Sequence, residues 1–208
     1  MIIIPDKCMF AKAEVNFLKK LLISGYRSYE MNIFNQTDPK YLYLRKFLEK
    51  RIIRFIEEGI EWFIIGGQLG VELWAGEIIL ELQEDYPNIH LAIILPYTSF
   101  EENWNETNQE LFKRVTHQAD YVNFSSNKDY DSPSQLKGNQ VFMIRNTDGA
   151  FLVYDRMNEA SADGKPKYLY DLIELYQEQS EYSLELASFD EIEFFIHEYI
   201  ENYGEIKN

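Results

Sequence analysis

Between Ile64 and Glu72 the chain places Gly66, Gly67 and Gly70, and then a carboxylate, where an apolar run gives way to a helical pattern. Glycine lacks a Cβ, so Gly66 and Gly67 permit a sharp turn and a close approach of backbone to a ligand. The first amides of a helix have no intrahelical partner, and the helix dipole adds partial positive charge there. Such a loop suits phosphate. Glu72, in the first helical turn, would repel a phosphate lying directly on it. The consistent arrangement puts phosphate on the glycine amides of Gly66, Gly67 and Gly70, with Gln68, in the same loop, a further candidate contact and Glu72 to one side. There it accepts from ribose hydroxyls, acts as a general base, or binds a metal carried in with the phosphate. The plainer alternative is that Glu72 complements the dipole, worth about 0.3–1 kcal/mol. The spacing is neither G-x-G-x-x-G nor the Walker A sequence. If the loop grips a ligand, Gly67→Val should abolish binding and leave the fold largely intact.

Three other groups join this loop as candidates. Gly25, Tyr26 and Arg27 follow an apolar run at Leu21-Leu22-Ile23. Gly25 allows another close approach, and the Arg27 fork matches phosphate geometry; a surface arginine in a turn is the alternative. Tyr97 and Trp104 are suited to stacking on a base while Glu101 and Asn103 hydrogen-bond it, or Trp104 anchors the next helix in the core. Lys165 precedes Pro166, a favoured first helical residue, and offers a second anion contact or a solvated turn.

The elements that must position these residues alternate. Apolar runs at 21–23, 61–65, 90–95, 121–123 and 150–154 are separated by helical periods at 39–58, 71–85, 105–118 and 133–147. A further helix at 166–179, a strand at 183–187 and a helix at 189–202 complete the order. This alternation predicts an α/β fold, a Rossmann-like three-layer sandwich whose mostly parallel central sheet is flanked by helices. In such sheets ligands bind beyond the carboxyl ends of the strands. That rule selects the loops 24–37, 66–70, 96–104, 125–134 and 155–165 as one rim. Residues 1–19 read as an N-terminal arm, with "AKAEVNFLKK" as one helical turn or an appended segment, and 20–208 as a single domain.

With 46% apolar and 26% charged residues the chain can bury a core. A net charge of −15 disfavours general nucleic-acid binding and docking on anionic membranes, both of which need clustered Lys and Arg. Cys8 is the only cysteine, so no intrachain disulfide forms and the chain reads as cytoplasmic. No apolar run approaches the roughly 20 residues of a membrane helix, and no signal peptide is apparent. His90, His117 and His197 fall on separate elements without ligand spacing, so no metal site is expected.

Taken together, "ISGYR", "WFIIGGQLGVELWAGE", "ILPY…EENW", "SPSQLKGNQ" and "DGAFLVYD…GKPKY" resemble the YpsA-like family of Firmicutes, in the SLOG superfamily with DprA/Smf and the LOG phosphoribohydrolases. The resemblance spans about residues 20–203. It implies a Rossmann-like sheet and a nucleotide-derived ligand, NAD- or ADP-ribose-like, with Gly25, Arg27, Gly66, Gly67, Gly70 and Glu72 matching the family's pocket. LOG enzymes carry P-G-G-x-G-T-x-x-E after a late strand. Here that place reads "DRMNEASADGKPKY", without the glycine cradle, so LOG-type hydrolysis is not implied. Three functions follow as expectations. The first is a sensor or regulator that binds the nucleotide-derived ligand. The second is a nucleotide-processing hydrolase using Glu72. The third is a protein-interaction module with a vestigial pocket. A protein partner and a homo-oligomer both stay open.

Overall fold

A computed structural model describes residues 18–158 and 163–206. The reading of residues 1–17 as an arm lies outside the described residues. Among the described residues six strands, β1 (Lys20–Gly25), β2 (Trp62–Ile65), β3 (His90–Leu95), β4 (Tyr121–Phe124), β5 (Gly149–Val153) and β6 (Ser183–Ala187), form one sheet. Its order is β4-β3-β2-β1-β5-β6, and every pairing is parallel. The helices are α1 (Pro39–Glu57), α2 (Val71–Leu82), α3 (Glu106–Gln118), α4 (Pro133–Arg145), α5 (Pro166–Gln177) and α6 (Phe189–Tyr203). A short 3-10 helix, Ser28–Met31, precedes α1.

Local chemistry explains the helix starts. Asp38 caps α1 by accepting from the Lys40 amide at 2.8 Å, with Pro39 at the first helical position. Asn105 and Ser188 cap α3 and α6 in the same way. Leu22, Ile23, Phe63, Ile65, Leu91, Ile93, Phe151 and Leu152 are buried on the central strands. Strands covered on both faces read as continuous apolar runs, as parallel sheets require. α1 packs on α2 and α6, and α2 on α3, while α4 pairs with α5. This arrangement gives the three layers expected.

From β1 the chain steps outward to β4 and then returns to set β5 beside β1, so the connections diverge between β1 and β5. That crevice is the usual ligand position in a doubly wound sheet. Here Tyr26 fills it. Its ring is 2% exposed and lies 5.1 Å from Phe189 at an interplanar angle of 16°. Its hydroxyl accepts from the Asp155 amide at 3.1 Å. Tyr26, expected as a ligand contact, is buried and ties the ends of β1 and β5 to the start of α6.

Candidate functional site

The polar centre of the rim lies one strand over, between the ends of β1 and β2. Glu72, in the first turn of α2, is 3% exposed. Its Oε2 accepts from the amides of Gly66 at 2.9 Å and Gln68 at 3.0 Å. Its Oε1 accepts from the Ser24 hydroxyl at 2.6 Å, and Arg27 Nη1 stands 3.4 Å away. A carboxylate offers about four acceptor sites, so this one is close to saturated. The sequence suggested loop amides open to phosphate with Glu72 alongside. For Gly66 and Gln68 the structure corrects this: Glu72 itself takes both amides, playing the anion's part from within the chain.

The glycines have separate reasons. Gly70 precedes α2 with φ of 102°, and a Cβ there would lie 2.5 Å from the Tyr26 carbonyl and 2.6 Å from the Ser28 nitrogen. It lets the loop after β1 lie on the start of α2, where the Val71 amide donates to the Tyr26 carbonyl at 3.3 Å. Gly25 is pinched between Val153 and Val71, each 2.9 Å from a Cβ. Gly67, with φ of 76°, faces the core: its Cβ would sit 2.6 Å from Leu95 Cδ2, with Ile93 and Phe112 next. Gly67→Val would therefore strain the turn and crowd the core, so lost binding in that variant would not by itself identify a ligand site. Gly66 faces the other way, toward Glu72, Met143 and Asn139.

Asn139, on α4, was not singled out from sequence. It is 4% exposed, and its Nδ2 donates to the Ile94 carbonyl at 2.8 Å. That bond leaves Oδ1 buried without a partner among the described residues. A polar residue on the inward stripe of a helix was the available signal. Glu30 was also missed. Its carboxylate accepts from the Arg27 amide at 2.7 Å and from the Lys165 amide at 2.7 Å. One side chain thus holds the loop after β1 against the start of α5, and brings Lys165 to the same rim as Arg27. The Lys165 ammonium lies 5.8 Å from the Tyr168 ring centroid.

The β3–α3 loop builds a different cluster. Tyr97 packs against Phe100 and Tyr130 with centroids 5.2 and 5.1 Å away. Burial, and next the neighbouring Tyr130, raise its hydroxyl above the ordinary tyrosine value. Trp104 stands edge-on to Phe112 at 5.5 Å and 84°, the helix anchor that was the alternative reading. The Glu101 carbonyl accepts from Gln109 Nε2 at 3.2 Å. The contacts of these three residues serve the start of α3 and the 125–131 loop, where Asp129 accepts from the Thr98 and Ser99 hydroxyls at 2.6 and 3.1 Å.

An all-parallel six-stranded sheet flanked by helices defines a Rossmann-like α/β fold. The YpsA family model, described as the YspA SLOG family, matches residues 21–192, and the chain belongs to that family. It is 42% identical over 181 residues to a UPF0398 protein of Ligilactobacillus salivarius, covering 87% of this chain and 97% of that one. It is 40% identical over 181 residues to the UPF0398 protein YpsA of Bacillus subtilis, covering 87% and 98%. The UPF0398 protein SSP1297 of Staphylococcus saprophyticus is 37% identical over 181 residues, covering 87% and 94%. Among the described residues no helix is long and apolar enough to cross a membrane.

Proposed function

We propose that this chain is a cytoplasmic sensor or regulator that binds the phosphate-bearing part of a nucleotide-derived ligand, NAD- or ADP-ribose-like, at the rim formed by residues 24–30, 66–72 and 163–166. The observation that carries the reading is the convergence of two carboxylates on two loops: Glu72 fixes the glycine turn, and Glu30 holds the backbone of both Arg27 and Lys165. The two basic side chains supply the anion contacts, Arg27 through a forked donor only 19% exposed. Glu72 serves as an internal anchor. A general base must reach the proton it removes with a free acceptor site. Glu72 would have to release one of its three short hydrogen bonds to do so, which favours binding over hydrolysis.

Calorimetric titration of the purified protein with ADP-ribose, NAD and AMP, followed by chromatography of the recovered nucleotide, tests the reading. Saturable binding with intact nucleotide supports it. Turnover that disappears in Glu72→Gln would establish the hydrolase instead, and absence of saturable binding to any of the three would end the proposal.

A further inference from the structure

We infer that β4 is a pairing edge for a second copy of this chain. Among the described residues β4 ends the sheet, with β3 on one side only. Its four residues are all exposed, including Tyr121 at 47%, Val122 at 38% and Phe124 at 37%. The Ser125 amide just beyond the strand donates to the Leu95 carbonyl of β3 at 2.8 Å, so the amides of Val122 and Phe124, of opposite parity, point away from β3. Among the described residues the Phe124 amide donates to the side-chain carbonyl of its neighbour Asn123, at 2.8 Å. A partner strand would replace that local substitute.

Exposed edges are normally guarded by charge. The opposite edge, β6, obeys this rule: Glu185 sits in it and pairs with Arg51 and Arg54. Tyr121–Phe124 holds no charged residue, in a chain of net charge −15. Asp120, the nearest charge, is turned inward onto the Leu91 amide at 2.8 Å, Gln83 at 2.8 Å and His90 at 3.1 Å. Two copies can therefore meet along β4 without opposing like charges on the strand. Antiparallel pairing of one edge with itself is two-fold symmetric, so each free donor and acceptor finds its equivalent in the other copy.

Phe142 extends the patch. Gln135, in the first turn of α4, donates to Ser126, two residues past β4, at 3.1 Å. Phe142 lies two turns further along the same stripe of α4 and is 46% exposed. α4 packs against β3, the strand next to β4, so Phe142 is an exposed ring on the helix nearest that edge. The exposed parts of Tyr121, Val122, Phe124 and Phe142 amount to roughly 300 Å², against about 800 Å² per partner in a standard interface. The contact is thus a weak, concentration-dependent dimer that joins two six-stranded sheets edge to edge.

Sedimentation velocity on the full chain, over roughly a hundredfold concentration range through micromolar values, reads this directly. The wild type should shift from monomer toward dimer. Val122→Lys and Phe142→Glu should each weaken association by tenfold or more. A wild type that stays monomeric throughout, or either folded variant associating as strongly as wild type, overturns the inference. If Val122→Lys loses its circular-dichroism signature, Phe142→Glu decides alone, because it lies on a helix surface outside the strand ladder.

Discussion

Glu72 Oε2 lies 2.9 Å from the Gly66 amide nitrogen, and a Cβ on Gly66 would sit 3.0 Å from that same oxygen. The glycine is there to admit the chain's own carboxylate. The turn and the helix that follows it are therefore one unit, closed by Ser24 from the neighbouring strand.

Replacing Glu72 by Gln exchanges one acceptor oxygen for an NH2 donor; with the oxygen kept on the Gly66 and Gln68 amides, the NH2 faces Ser24 and Arg27, so the Ser24 proton and the Arg27 guanidinium lose their acceptor. A buried donor left without an acceptor costs about 1–3 kcal/mol. Urea unfolding should show a loss of that size with little change in slope. Wild-type stability in Glu72→Gln would contradict the anchoring role.

The glycines separate into different expected outcomes. Gly67→Val, at positive φ and against Leu95, should destabilise by about 1–3 kcal/mol, whatever it does to ligand. Gly138, in α4, has nothing within 4 Å of a Cβ, and its Ala variant should gain about 0.5–1 kcal/mol. Thermal melts of the two variants would rank them on opposite sides of wild type; a Gly138→Ala variant that melts earlier would contradict the open helix surface seen here.

Asp120 sets an acid-side dependence. Burial pushes its carboxyl up, but the Leu91 amide, His90 and Gln83 outweigh burial and hold it below the ordinary value of 3.8. Its contribution to stability is therefore complete above that ordinary value and is lost as pH falls through the lower folded-state value. Asp120→Asn should flatten the decline in stability below about pH 4. An acid unfolding curve parallel to that of wild type would show that the carboxylate is not involved.

Arg27 should matter to ligand and little to the fold. It is partly exposed, and its 3.4 Å contact with Glu72 is long, so Arg27→Ala should change unfolding free energy by under about 1 kcal/mol. Loss of a charge-assisted contact to phosphate should weaken nucleotide binding by about 1.5–3 kcal/mol, roughly tenfold or more. Titration and unfolding of the same variant separate the two effects.

Much of this architecture was legible because parallel strands buried on both faces announce themselves as runs such as "HLAIIL" and "AFLVY". Proline and glycine then marked the limits of α1. The rim was legible only in outline. The sequence marks where a glycine turn falls, but not which way each glycine faces: Gly66 looks toward α4 and Gly67 toward α3. Tyr26 looked like a ligand contact because it follows a strand end, yet its stacking partner, Phe189, comes from the far end of the chain. Glu30 passes locally for an acid in a short helix, and its second partner, Lys165, is visible only in three dimensions.

The central claim is that the rim around Arg27, the glycine turn and Lys165 receives a phosphate-bearing nucleotide. Titration of 15N-labelled protein with ADP-ribose, followed by amide chemical shifts, tests it most directly. Shifts should concentrate in residues 25–30, 66–72 and 163–166, and in Arg27→Ala should require roughly tenfold or more nucleotide to reach the same extent. Saturating shifts that fall elsewhere, or a spectrum unmoved by the nucleotide, would contradict it.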